Sequence, residues 1–323
     1  MSQDTLRYIR HDTTRRSGQG RKLRDDALGA KVVTLDQQPS AGTVRAILLG
    51  VACDRGVGIG GGRIGAADGP LRFRDAFFRL MAPEGWAAGS LLDAGDLLSA
   101  GRTDETHARL SEVIDVLTGR FPQARLMVAG GGHDAVYGEV LGVARRRRRE
   151  RDPARLGLLV VDAMPDASSH EGEPHDHTAL RRLLREPAAA LAGDDVLLVG
   201  LQPAHAAGGQ VAFLHSQGVR MVPFADPEAD ALPDLAVELS ARVDALTLSI
   251  DLGAFAQSVA PGVSEPVAFG IDPDLVLRAA ARLGATPRPG SCGIWGLNPR
   301  FDRDGATARL AARLAWAYCA GAC

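Results

Sequence analysis

Three short segments of this chain end an apolar run in acidic or imidazole side chains: GGGHD at residues 130–134, VVDAMPD at 160–166 and LSIDLGAF at 248–255. An aspartate that follows a strand often only caps the next helix, so each segment alone carries little weight. Together they supply one imidazole, His133, and three carboxylates, Asp162, Asp166 and Asp251. Hard oxygen donors joined by one imidazole suit Mn²⁺ or a similar divalent cation. Brought to one point, these four side chains make a metal site.

The elements that must position them are legible from residue 43 onward. Apolar runs of strand length (AILLGVAC, ARLMVAG, LGLLVVDA, DVLLVGL, VRMVPF, ALTLSID, GIWGLNP) alternate with stretches of helical period, such as HARLSEVIDVLTGRF and ATARLAARLAWAY. This alternation predicts a parallel sheet covered by helices on both faces. Near-continuous apolar strands are buried on both sides, and in such sheets ligands gather at the carboxyl ends of the strands. The expected fold is therefore α/β, a three-layer α/β/α arrangement with a mainly parallel, roughly eight-stranded sheet. A single domain is expected over residues 43–323. Residues 1–42 are polar and lack periodicity, which predicts a mobile or surface-draped arm. The run Arg145 to Arg149 closes a predicted helix, where cations suit the dipole and solvent is at hand.

Composition narrows the function. Lys+Arg 37 against Asp+Glu 39 gives a net charge of -2, which removes the electrostatic case for a nucleic-acid binder and favours small-molecule partners. No apolar run is long enough to span a membrane, and the first residues lack the apolar stretch of a signal peptide, so a soluble cytoplasmic protein is expected. Four scattered cysteines make no disulfide framework or zinc ribbon. Cys292, near the last strand end, reads as a nucleophile, a soft ligand or a small buried residue.

The order of these motifs resembles the ureohydrolase superfamily of arginases and agmatinases, and most closely its formimidoylglutamase branch, over about residues 43 to 318. The resemblance rests on DRGV with GGRIGAADGP, DAGD, GGGHD, DAMPD, SID followed by VAPGVSEPVAFG, and LNPRFDRDGATARLAARL. It implies the arginase-like fold, hydrolysis of a C–N bond at a two-manganese centre, and homo-oligomers. It also implies that His133, Asp162, Asp166 and Asp251 hold the first ion, with Asp251 placed for catalysis as well.

The chain departs from the resembled pattern in one direction. Met164 stands where the family has a ligating histidine, and Gly253 where it has the final aspartate of the third motif. A thioether is a weak ligand for Mn²⁺ and glycine offers none, so one ion is expected. Gly296 stands where the family has the acidic residue that grips the cationic group, and Gly60 where it has asparagine.

His170, His175 and His177 lie in the loop where arginases and agmatinases place a proton-shuttling histidine. The resemblance selects His177 for that role, against the reading of water-exposed loop histidines or replacement ligands. Arg63 either meets a substrate carboxylate or caps a surface loop; Trp295 and Phe255 either fill room left by lost polar groups or belong to the core. Three functions follow as expectations: a formimidoylglutamase-like metallohydrolase with a reduced, single-metal centre, a catalytically inactive protein of this fold with a binding or regulatory role, and a repurposed enzyme for a non-cationic substrate.

Overall fold

The computed structural model describes residues 3–10, 23–169, 171–287 and 290–321. Among the described residues the chain runs through β1 (Ile9–Arg10), β2 (Val32–Thr34), β3 (Ala46–Ala52), α1 (Arg55–Gly60), α2 (Gly69–Phe77), β4 (Leu91–Leu98), α3 (Thr103–Arg120), β5 (Arg125–Gly130), α4 (Val136–Glu150) and β6 (Leu156–Val161). It continues through α5 (Ala179–Arg185), β7 (Leu191–Leu201), α6 (Gly208–Ser216), β8 (Arg220–Pro223), α7 (Leu232–Arg242), β9 (Ala245–Asp251), α8 (Pro273–Gly284), β10 (Ser291–Trp295) and α9 (Ala306–Ala320).

The strands form one ten-stranded sheet in which β4, β3, β5, β10, β9, β6, β7 and β8 lie side by side and parallel. The outer edge of β4 carries β2, parallel, and β1, antiparallel. The sheet therefore exceeds the eight strands expected from the apolar runs. Two strands of three residues or fewer, β1 and β2, come from the segment read as a polar arm; their backbone pairing needs no apolar run to announce it. In its described parts, residues 3–10 and 23–42, that segment is tied to the sheet edge at 9–10 and 32–34.

Alternation along the strands builds the layers. On β3, Ala46 and Leu48 face one core with Phe73 and Phe77 of α2 and the apolar faces of α7, α8 and α9. Ile47, Leu49 and Val51 face the other core, with α3 and α4. All six residues of β6 are buried, as expected for a strand covered on both faces. The DAGD motif belongs to this frame: Arg74 of α2 donates to Asp93 at 2.9 Å and Asp96 at 2.5 Å, pairing a buried guanidinium with both carboxylates. The arginines closing α4 are paired as well, Arg149 with Asp115 and Arg146 and Arg147 with Glu150.

One topological feature makes the site. The chain lays down β3, β4 and β5 on one side and β6, β7 and β8 on the other, then inserts β9 and β10 between β5 and β6. Segments far apart in sequence thus meet at the centre of the sheet, where the strand order reverses and ligands are expected.

Candidate metal centre

The carboxyl ends of β5, β10, β9 and β6 open into a cleft lined by His133, Asp162, Met164, Asp166, Asp176, His177, Asp251, Gly253, Glu265 and Gly296, among others. Three of the positions follow directly from local chain geometry. After β5 the backbone passes so near β3 that a Cβ on Gly131 would lie 1.8 Å from the Cys53 carbonyl oxygen, so only glycine fits. His133 then opens the turn His133–Ala135 that leads into α4. Asp162 follows β6 and accepts from the Met164 N–H at 2.9 Å; Asp251 ends β9 and accepts from the Gly253 N–H at 2.7 Å. Asp166 holds a positive φ of 45°, a strained conformation that concentrates at functional sites.

These side chains converge on one nitrogen. His133 Nδ1 lies 2.9 Å from Asp162 Oδ2, 2.9 Å from Asp166 Oδ2 and 3.8 Å from Asp251 Oδ2. Its other nitrogen, Nε2, is 2.9 Å from the Ser249 hydroxyl of β9, which fixes the ring. His133, Asp162 and Asp166 are all buried, and their donor atoms lie within 4.8 Å of one another. Despite the short distances, neither His133 Nδ1 nor Asp166 Oδ2 has a hydrogen-bond partner. A buried ring nitrogen aimed among carboxylate oxygens without hydrogen-bond geometry fits a cation between them, so the donor set suits a divalent ion.

The electrostatics agree with that fit. Burial, then the charges of Asp166 and Asp251, push Asp162 up to about 8. Burial raises Asp251 to about 6, with Asp166 and Glu265 adding to the rise. Such crowded carboxylates relax when a cation joins them. Below them, Asp134 accepts from His107 Nε2 at 2.7 Å, while Arg182 donates to His107 Nδ1 at 3.1 Å. Arg182 thereby assigns the His107 proton to Nε2. Asp176, beside Asp134, is pushed well above the usual carboxylate range by burial and by Asp134.

His177 sits in the turn Asp176–Thr178 ahead of α5, at the mouth of the cleft. Its Nδ1 is 3.5 Å from Asp166 Oδ1 and its Nε2 3.2 Å from Glu265 Oε1. Contact with Asp166 and then Glu265 raises its pKa to about 11. His175 is buried and meets the His177 ring edge-on at 5.8 Å; His170 lies outside the described residues. Arg63 does not line the cleft: its guanidinium donates to the Val263 carbonyl at 2.6 Å and lies 3.8 Å over the Phe301 ring.

Met164, Gly253 and Gly296 all face this same cleft, beside the four donors. Their backbone suits the residues present. A Cβ on Gly253 would lie 2.9 Å from the Glu265 carbonyl oxygen, and Gly296, at φ +80°, would put one 2.6 Å from Asp251 Oδ1. Positions 164 and 253 thus present a thioether and a hydrogen to the cleft, neither of them a good donor for a hard ion.

Trp295 and Phe255 are fully buried in the two cores. Cys292 is core too, its thiol pushed far up by burial, so it makes a poor nucleophile. Two cleft residues escaped the sequence reading. Asp176 adjoins the selected histidine, and Glu265 lies within the quoted VAPGVSEPVAFG segment; neither has a local pattern that marks it.

Comparison with known proteins supports the family and the fold. The arginase family pattern matches residues 44–320. Formimidoylglutamase of Cupriavidus pinatubonensis is 33% identical over 284 residues, 84% of this chain and 85% of its own. That of Nocardia farcinica is 33% identical over 301 residues, 90% of this chain and 91% of its own. Among solved structures, formimidoylglutamase from Bacillus subtilis aligns with a TM-score of 0.80 at 20% identity, covering 98% of this chain and 97% of that one. Trypanosoma cruzi formiminoglutamase with Mn²⁺ aligns with a TM-score of 0.76 at 22% identity, covering 87% and 94%. With the family pattern matched over residues 44–320 and relatives at 33% identity over more than four-fifths of its length, the chain belongs to the arginase family of ureohydrolases, and formimidoylglutamases resemble it over most of its length.

Proposed function

We propose that the protein is a formimidoylglutamase-like hydrolase of C–N bonds in amidine-type substrates, working with a single divalent ion, manganese. The observation that carries this reading is His133 Nδ1, buried, within 2.9 Å of two carboxylates and without a hydrogen-bond partner. Relatives named formimidoylglutamase, at about one-third identity, support the reaction class.

His133, Asp162, Asp166 and Asp251 would hold the ion, which when bound supplies Lewis acidity and a more acidic water. The chain's own groups do the rest. Ser249 keeps the His133 ring in register through Nε2. Asp251, with 23% of its side chain exposed, is the most accessible of the four and would meet an incoming water first. In formimidoyl hydrolysis a water oxygen adds to the amidine carbon, the bond from that carbon to the amine nitrogen breaks, and the departing amine takes up a proton. His177 would deliver that proton, a role supported by its position at the mouth, held against Asp166. Arg63 would reach a substrate carboxylate only by leaving the Val263 carbonyl and the Phe301 ring. A cytoplasmic homo-oligomer acting on a small molecule completes the reading; among the described residues no helix is long and apolar enough to cross a membrane.

The clustering of Met164, Gly253 and Gly296 in the cleft favours a second reading, an inactive binding protein or an enzyme for a non-cationic substrate. Elemental analysis of the purified protein, together with formamide and ammonia release from formimidoylglutamate, separates them. One manganese per chain with turnover is the expected result. Two ions per chain would overturn the single-ion centre, and one ion without turnover of any amidine would overturn the hydrolase in favour of the second reading.

A further inference from the structure

The cleft contains a carboxylate that neither the strand-end motifs nor the proposed centre uses. Glu265 lies in the loop between β9 and α8, with 26% of its side chain exposed and Oε1 3.2 Å from His177 Nε2. The glycine-rich end of α1 and the turn after it pack around this pair. A Cβ on Gly62 would lie 3.0 Å from Glu265 Oε1, and one on Gly60 would lie 3.4 Å from His177 Cδ2. Beside Glu265, Gly253 and Gly296 line the cleft without filling it.

Charge then selects the ligand. The lining carries Asp162, Asp166, Asp176, Asp251 and Glu265 against His133 and His177, with no lysine or arginine among the residues that line it. A divalent ion held by the inner group leaves Glu265 outside that group, at the accessible end. A carboxylate offers about four lone-pair sites, so while Oε1 serves His177 both oxygens keep lone pairs open to a further donor. Two parallel N–H groups on a delocalised cation match such a carboxylate in both charge and shape.

We propose that Glu265 is the specificity-determining residue of the cleft, receiving the cationic amidinium or guanidinium head of the substrate. This inference rests on the hydrolase reading for the reaction that follows binding, and it assigns the cation partner to a loop rather than to the end of β10, where Gly296 has no side chain.

The test is calorimetric binding of acetamidinium chloride and of neutral acetamide to the manganese-loaded protein, its Glu265→Gln and Glu265→Asp variants, with thermal unfolding of each as a check on folding. Wild type is expected to prefer the cation by roughly tenfold or more, Glu265→Gln to lose that preference, and Glu265→Asp to keep part of it. With formimidoylglutamate, Glu265→Gln should raise KM by a similar factor and change kcat less. A cation preference unchanged in Glu265→Gln overturns the proposal, as does a wild type that binds neither probe. Should Glu265→Gln fail to fold, a Glu265→Asp variant that folds and prefers acetamidinium no less than wild type overturns it equally. Loss of preference in a protein that turns over no amidine would sustain the Glu265 assignment while removing the hydrolase reading. Turnover with preference intact in the variant would do the reverse.

Discussion

The two walls of one cleft differ sharply in the chemistry of their side chains. On one wall His133, Asp162, Asp166 and Asp251 crowd four donors around a single point, three of them held by a second contact: Ser249 behind His133, the Met164 N–H on Asp162, the Gly253 N–H on Asp251. On the other, Met164, Gly253 and Gly296 present a thioether and bare backbone. Both walls are built from the same strand ends, so the scaffold does not decide which one binds a cation. Side-chain chemistry decides it, and the backbone leaves little room for a Cβ at 253 or 296.

The largest test of this contrast is on the donor wall. Asp166→Asn should reduce manganese affinity more than about 100-fold, since even partners behind a ligand are worth ten- to a hundredfold. Equilibrium dialysis measures it, and an Asp166→Asn protein that retains one tightly held manganese would erase the distinction between the walls. Ser249→Ala should cost about tenfold by the same measurement.

On the bare wall, Met164→His combined with Gly253→Asp should raise the metal content from one ion to two. The new Cβ must displace the Glu265 carbonyl, at a cost of about 1–3 kcal/mol in denaturant unfolding. Two ions with no loss of stability would show that the glycine was never fitted to its surroundings. Gly296→Glu tests the same point at a left-handed backbone position. It should destabilise by about 1–2 kcal/mol from conformation alone, before its contact with Asp251 is counted; an unchanged unfolding midpoint would contradict the positive φ.

The smallest expected effect concerns the loop that carries His177. Glu173 accepts from Arg55, from the Thr103 N–H at 2.8 Å and from the Thr103 hydroxyl at 2.9 Å, clamping this loop to α1 and to the start of α3. Arg55 and then the Thr103 N–H lower its pKa to about 2. A carboxylate depressed in the folded state stabilises above its ordinary pKa, and that contribution fades as pH falls through the folded value. Thermal midpoints should therefore drop between about pH 4.5 and pH 2 in wild type, and drop less in Glu173→Gln. Equal slopes would mean that the clamp adds nothing.

How much of this was legible in the sequence varies by residue type. His133, Asp162, Asp166 and Asp251 could be read because each follows an apolar strand, and a parallel sheet gathers such ends at one edge. The DAGD motif was visible but its role was not, because its partner Arg74 sits on another element. Strand β4, the sheet edge that β1 and β2 join, was missed as a strand because its polar Asp93 and Asp96 interrupt the apolar pattern; Arg74, from another element, pairs with both.

The sequence by itself determined the alternation that makes an α/β sheet, the four donors at its strand ends, and the absence of ligating side chains at 164 and 253. These are local matters of periodicity and residue chemistry. Only the tertiary structure decided that β9 and β10 insert between β5 and β6, that Arg63 is spent on a carbonyl and a ring, and that Glu265 comes to rest 3.2 Å from His177. Contacts of this kind join residues 88 or more positions apart, where no periodicity links the partners and only closure of the fold brings them together.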